Sequence, residues 1–193
     1  RGQRGSVIWN VRPELVSAQR WELLIRWWKS LLVRRNNHLG MRKGCTEVEW
    51  FEDYEVGDEF LGEPVKFTEE EIMDFARRYD PQPFHIDREA AKASQFGGII
   101  ASGFHTLSAV WGGVLRAGFL NGRGMGAPGL TTLFRKPVRP GDTLTTLIRV
   151  CEKRASQSRS DRGYVRCEYE TTNQNGEVVL TQSCQEIIST RPK

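Results

Sequence analysis

The stretch Asp80-Pro81-Gln82-Pro83-Phe84-His85-Ile86-Asp87 sets a carboxylate and an imidazole close together in the chain. An acid and a histidine within hydrogen-bond reach of one water can share its activation, one taking a proton while the other orients. The two prolines fix φ at their own positions and push the residues before them toward extended backbone. The spacing between Asp80 and His85 is therefore expected to be rigid and extended, which suits a paired acid/base site. A Pro-rich interhelix loop, in which Asp80 merely ends a helix, fits the same residues.

A second segment runs Phe96-Gly97-Gly98-Ile99-Ile100-Ala101-Ser102-Gly103-Phe104-His105. Its Gly103 opens an apolar helix, with Ser102 as the N-cap. Amides of a first helical turn lack intrahelical partners and sit at the positive end of the helix dipole. Such an amide can meet a developing oxyanion, and glycine lets a substrate approach the backbone. An ordinary capped helix start is the plainer reading of this segment alone.

The elements that must position these residues are legible in the patterning. Residues 59–67 read as a first strand. Thr68 and Glu71 form a capping box, and Ile72, Phe75, Ala76 and Tyr79 mark the apolar face of the helix that follows. Pro81 ends that helix. Asp87 caps a short helix over 88–94. The helix over 103–117 carries Phe104, Leu107, Trp111, Val114 and Leu115 with the small residues Ala109, Gly112 and Gly113, and is apolar nearly all round, as a buried helix is. Beyond Pro128 the chain alternates as strands do: Leu144, Thr146, Ile148 and Val150, then Val165, Cys167, Tyr169 and Thr171, then 178–188. Turn chemistry falls at Arg139-Pro140-Gly141-Asp142 and at Asn175-Gly176. A strand, helices and about four antiparallel strands make an α+β layout, and an antiparallel sheet wrapped around the long helix buries both.

Length and charge bound the rest. A chain of 193 residues holds one domain and an appendage. No run of about 18 apolar residues is present, so no membrane-spanning helix is expected. Residues 1–40 carry a net charge of +6 and residues 41–193 a net of −2, so the basic balance belongs to the arm. The remainder shows no footprint for nucleic acid. Residues 14–33 read as a basic amphipathic helix. Three readings of the arm stay open: a membrane-surface helix, a targeting segment, or residues lying upstream of a native start at Met41. The abrupt change of composition at 40/41 favours the last, leaving 41–193 as the compact domain. Cys45, Cys151, Cys167 and Cys184 include no C-x-x-C pair, and with three histidines they support no zinc site. Reduced thiols and the lack of a signal-peptide pattern make the expected location cytoplasmic.

Residues 50–188 resemble the MaoC-like dehydratases, the family of (R)-specific enoyl-CoA hydratases with a hot-dog fold. The resemblance rests on Asp80, Pro83, His85 and Asp87, on Phe96, Gly97, Ile100 and Gly103, and on 136–144, Lys-Pro-Val-Arg-Pro-Gly-Asp-Thr-Leu. It implies a sheet curled around the central helix, a homodimer or dimer of dimers, and a tunnel for an acyl thioester of coenzyme A or acyl carrier protein in fatty acid metabolism. It carries the hydratase pair onto Asp80 and His85 and the oxyanion amide onto Gly103. Many members of the family have histidine before that glycine, where this chain has Ser102. The implied reaction is reversible hydration of trans-2-enoyl thioesters to 3-hydroxyacyl thioesters, a hydro-lyase activity with no cofactor beyond the carrier. A non-catalytic acyl-thioester-binding subunit and an acyl-CoA thioesterase are the alternatives. Ser102, Phe84, Phe104 and Arg135 are the expected substrate-binding residues, with Tyr79 and Trp111 as further lining. Arg135, Lys136 and Arg139 form a basic cluster suited to phosphates. His105 is expected to be a satisfied polar residue near a helix start.

Overall fold

The computed structural model describes residues 48–192; the basic arm, Met41 and Cys45 lie outside them. A short 3-10 turn at Phe51–Asp53 leads into β1 (Glu59–Leu61) and β2 (Val65–Lys66). Three helices follow, α1 (Glu69–Tyr79), α2 (Pro83–Ile86) and α3 (Arg88–Ala93), and then the long helix α4 (Gly103–Arg116). The chain closes with β3 (Gly124–Gly126), β4 (Leu130–Phe134), β5 (Thr143–Ala155), β6 (Arg162–Thr172) and β7 (Val178–Ser189).

All strand pairs are antiparallel. The sheet order is β1-β5-β6-β7-β3, with β2 also on β5 and β4 also on β7. The side chains that alternate toward α4 are the ones the sequence marks as apolar: Leu144, Ile148 and Val150 on β5, and Val165, Cys167 and Tyr169 on β6. A one-residue slip would turn each set outward, so burial of one face fixes the register. The core divides into two clusters along α4. Val114 belongs to one with Phe60, Phe119, Ile148 and Tyr169, and Val110 to the other with Phe67, Ile72, Leu144 and Leu180. This is the hot-dog arrangement, a sheet wrapped around a central helix.

The capping box forms as the sequence predicts: the Thr68 hydroxyl accepts from the Glu71 amide at 3.2 Å, and the Glu71 carboxylate accepts from the Thr68 amide at 3.2 Å. Asp87 likewise caps α3, accepting from the amides of Glu89 and Ala90.

Two expectations change. The single strand over 59–67 is two strands, because after Gly62, whose amide still donates to Thr146 of β5, the chain turns at Glu63 to the last turn of α4, where the Glu63 amide donates to the Gly113 carbonyl at 3.0 Å. A Cβ on Gly113 would fall 2.6 Å from the Glu63 carbonyl oxygen, so glycine is what admits this approach. The Pro-rich stretch is not extended throughout. Gln82 is extended (ψ 143°), and Pro83 then opens the helical turn α2 from its first position, where the missing N–H is no loss.

Candidate active site

Three elements deliver the paired residues. Asp80 is the C-cap of α1, its amide donating to the Ala76 carbonyl at 2.9 Å. α2 lifts His85 from the next turn of chain. The loop before α4 is pinned from two sides: the Ile100 amide donates to the Phe84 carbonyl and the Ala101 amide to the Val138 carbonyl. That loop carries Ser102 and Gly103 to the same place.

The imidazole is buried, at 3% exposure. Its Nδ1 lies 2.7 Å from the Ile100 carbonyl oxygen, which only accepts, so Nδ1 bears a hydrogen and Nε2 is turned toward Asp80. Nε2 is 3.4 Å from Asp80 Oδ2. With Nε2 unprotonated, as a water-activating site requires, two acceptors at that separation do not bond to each other. Each can then accept one hydrogen from a single water seated to one side of both, in the cleft.

Asp80 is fixed on both oxygens. The Ser102 hydroxyl donates to Oδ2 at 2.6 Å, and the Gln82 amide nitrogen donates to Oδ1 at 2.8 Å. The Ser102 bond, opposed by partial burial and aided by Gln82, holds the carboxyl below the usual carboxylate range. The same Ser102 oxygen accepts from the Phe104 amide at 3.2 Å and so caps α4. One hydroxyl thus ties the acid to the positive end of the helix.

A cleft of about 650 Å³ opens over this pair, walled by Asp80, His85, Gly103, Phe104, Phe134 and Arg135 among others. Among the described residues the Gly103 amide donates to no acceptor. The Phe134 ring of β4 lies against Gly103 so closely that a Cβ there would come within 2.7 Å of it.

The expected binding residues divide. Phe104 and Arg135 line the cleft. Ser102 is fully buried and touches Asp80, so it positions the acid in place of contacting substrate. Phe84 does not line the cleft: its ring packs on His85 and Phe96, with centroids 4.5 and 5.0 Å away, because α2 turns it behind the imidazole. Tyr79 is 69% exposed, on the outer side of α1. Trp111 walls a different hollow further along α4.

The basic cluster is partly spent. Lys136 pairs with Glu177, and Arg139 donates to the Phe96 carbonyl. The Arg135 guanidinium pairs with no acid among the described residues and stands at the cleft. His105 is not satisfied. Its Nδ1 is buried without a partner, its ring stacks on Phe75 at 4.8 Å, and burial lowers its pKa against the pull of Glu71.

Sequence reasoning missed Gln82, the Ile100 carbonyl and Phe134. Gln82, held between two prolines beside the acid, is the one with a readable signal. The other two depend on how distant segments meet. Among the described residues no group of three or more His, Cys, Asp and Glu side chains is placed to hold a metal ion. No helix among them is long and apolar enough to cross a membrane.

Residues 53–174 match the family described as MaoC like domain. The crystal structure of the MaoC-like dehydratase from Rhodospirillum rubrum superposes with a TM-score of 0.72 at 37% identity, covering 76% of this chain and all of that one. The unliganded R-hydratase PhaJ1 from Pseudomonas aeruginosa gives 0.61 at 26% identity, covering 74% of this chain and 86% of that one. An uncharacterized protein of Bacillus subtilis, YdeM, is 32% identical over 108 residues, which is 55% of this chain and 77% of that protein. With its sheet, its central helix and more than half of its length in agreement, the chain belongs to the MaoC-like domain family.

Proposed function

We propose that the protein hydrates trans-2-enoyl thioesters of coenzyme A or acyl carrier protein reversibly, giving 3-hydroxyacyl thioesters. The observation that carries this reading is the convergence of Asp80 Oδ2, His85 Nε2 and the unengaged Gly103 amide on one cleft. The similarity to an R-hydratase supports it.

A water donating to Nε2 and to Oδ2 keeps a lone pair free to face the β-carbon of the enoyl group. Its oxygen adds there, and Asp80 takes one of its protons while His85 orients it. Electrons of the double bond move toward the thioester carbonyl, and the charge that builds on that oxygen meets the Gly103 amide. A donor of this kind contributes roughly 2.7–4 kcal/mol to a transition state. The proton then passes to the α-carbon, so the net addition is one water. The scheme uses no cofactor beyond the thioester carrier, and Arg135 at the cleft suits the carrier's phosphates.

A homodimer fits the outer surface. Phe104, Leu115, Leu130, Leu133 and Phe134 are large apolar residues left 44–67% exposed along α4 and β4. An apolar face of that kind marks an interaction surface.

Incubation with crotonyl-CoA tests the reading. Loss of the conjugated enoyl absorbance with the thioester intact is the expected result. Release of free thiol makes the protein a thioesterase, and binding without turnover makes it a binding subunit; either outcome defeats the hydratase reading.

A further inference from the structure

Helix α4 runs past two hollows. The first is the cleft at its N-terminal turn. The second, of about 580 Å³, lies further along the helix, where Ser108, Trp111 and Leu115 face β3, β4, β6 and β7. Leu107 is a wall of both. β4 also passes from one to the other, with Leu130 at the second hollow and Thr132 and Phe134 at the first. From Gly103 to Trp111 the helix rises about 12 Å at 1.5 Å per residue, the span of a medium-length acyl chain.

The second hollow is apolar except at one pole. Glu186 is 3% exposed and lines it. The Tyr169 hydroxyl donates to its Oε1 at 2.7 Å, and the Cys184 thiol, which donates to the Gly129 carbonyl, stands beside it. Among the described residues no Lys, Arg or His pairs with this carboxylate. Gln182, on the same face of β7, borders the hollow as well. Two positions beyond Glu186 the same face carries the buried Ile188, and two before Gln182 it carries the buried Leu180. An aliphatic residue at 186 would therefore continue the core. A carboxylate there is costly unless hydrogens reach its oxygens; Tyr169 brings one, and a group in the hollow can bring another.

Resting on the hydratase reading above, we infer that the second hollow receives the distal half of the acyl chain, and that Glu186 accepts a hydrogen bond from a hydroxyl or N–H group carried there. The substrate class is a medium-chain enoyl thioester with a polar donor on its far part, in preference to a plain alkyl chain. A chain ending in a carboxylate is disfavoured, because it sets a second acid group in place of a hydroxyl or N–H donor against Glu186.

The test compares kcat/KM of the full chain for trans-2-octenoyl-CoA and for the same thioester hydroxylated on its last carbon. The hydroxylated chain is expected to lead by about 10- to 100-fold, the size of a hydrogen bond to a charged group. In Glu186→Leu the ratio falls to one or below, and in Glu186→Gln, which keeps an acceptor, it falls part-way. Both rates come from the same sample, so a reduced folded fraction cancels in the ratio. Equal rates, or a lead for the plain chain, in the unsubstituted protein overturn this inference. Crotonyl-CoA, too short to reach the second hollow, separates the two claims: its turnover without the octenoyl preference leaves the hydratase reading standing and removes only this one. If no enoyl thioester is turned over, calorimetric affinities for octanoyl-CoA and its hydroxylated counterpart make the same comparison, and equal affinities overturn the inference.

Discussion

Asp80 and Glu186 are two acids withdrawn from water beside the same helix, and their surroundings differ in kind. Asp80 has a hydroxyl on one oxygen, an amide on the other, an imidazole 3.4 Å away and the positive end of α4 next to it. Glu186 has a phenol, a thiol and an apolar hollow. The first setting favours an ionised carboxylate, as the proposed hydration needs. The second leaves an acceptor that a ligand can complete. Burial alone therefore does not separate the two acids; their partners do, and an imidazole held beside it is what makes Asp80 the proposed base.

The largest expected effects break the first setting. Asp80→Asn and His85→Ala should each lower crotonyl-CoA turnover by roughly 10²–10⁴-fold, as the loss of a general acid or base does. Their thermal melts should remain cooperative; near-normal hydration by either variant would falsify the scheme. Tyr169→Phe acts on the second setting. It strips Glu186 of its strongest donor and should cost about 1–3 kcal/mol of stability in urea titrations. A midpoint identical to that of the unsubstituted chain would mean that the carboxylate is already satisfied from elsewhere.

Ser102→Ala sharpens the contrast, because it removes the N-cap of α4 and the bond to Asp80 together. Stability should fall by about 1 kcal/mol. The sign of the pH effect follows from the direction of the shift. Asp80 is held below the usual carboxylate value, so the stability it contributes is fully present above an unfolded pKa of about 3.9 and is lost as pH falls through the folded value. Without Ser102 that folded value rises, and the acid limb of the kcat/KM profile should move to higher pH; an unmoved limb argues against Asp80 as the titrating base. The smallest effect belongs to a position remote from both acids. Thr68→Ala, which opens the exposed capping box of α1, should cost about 0.5 kcal/mol in the same titration, the low end for a cap, and leave the pH profile in place.

Local signals were legible where local chemistry decides. The capping box, the cap by Asp87, the apolar run of α4 and the period-two strands all formed where their residues predict. Asp80, His85 and Gly103 meet at one cleft because the two motifs that carry them bracket α2 and α3 and return to the start of α4. Tertiary contacts decided what was not legible. Residues 59–67 split because Glu63 turns to Gly113, 50 residues on. Phe84 faces away from the cleft because one turn of helix at Pro83 rotates it behind His85. Ser102 reads as a helix cap, and its second bond, to a residue 22 positions earlier, has no local trace. Glu186 carried an unread signal: an acid on the inward parity of a strand that is otherwise aliphatic at Leu180 and Ile188.

The shared oxygen of Ser102 has a thermal consequence. The hydroxyl that stops the first turn of α4 from fraying is also the one that steadies Asp80, so loosening of that turn disengages the acid while the long strands still hold. Heat inactivation should then run ahead of global unfolding, with turnover lost over a temperature interval in which the circular dichroism of the sheet is unchanged and recovered at once on cooling.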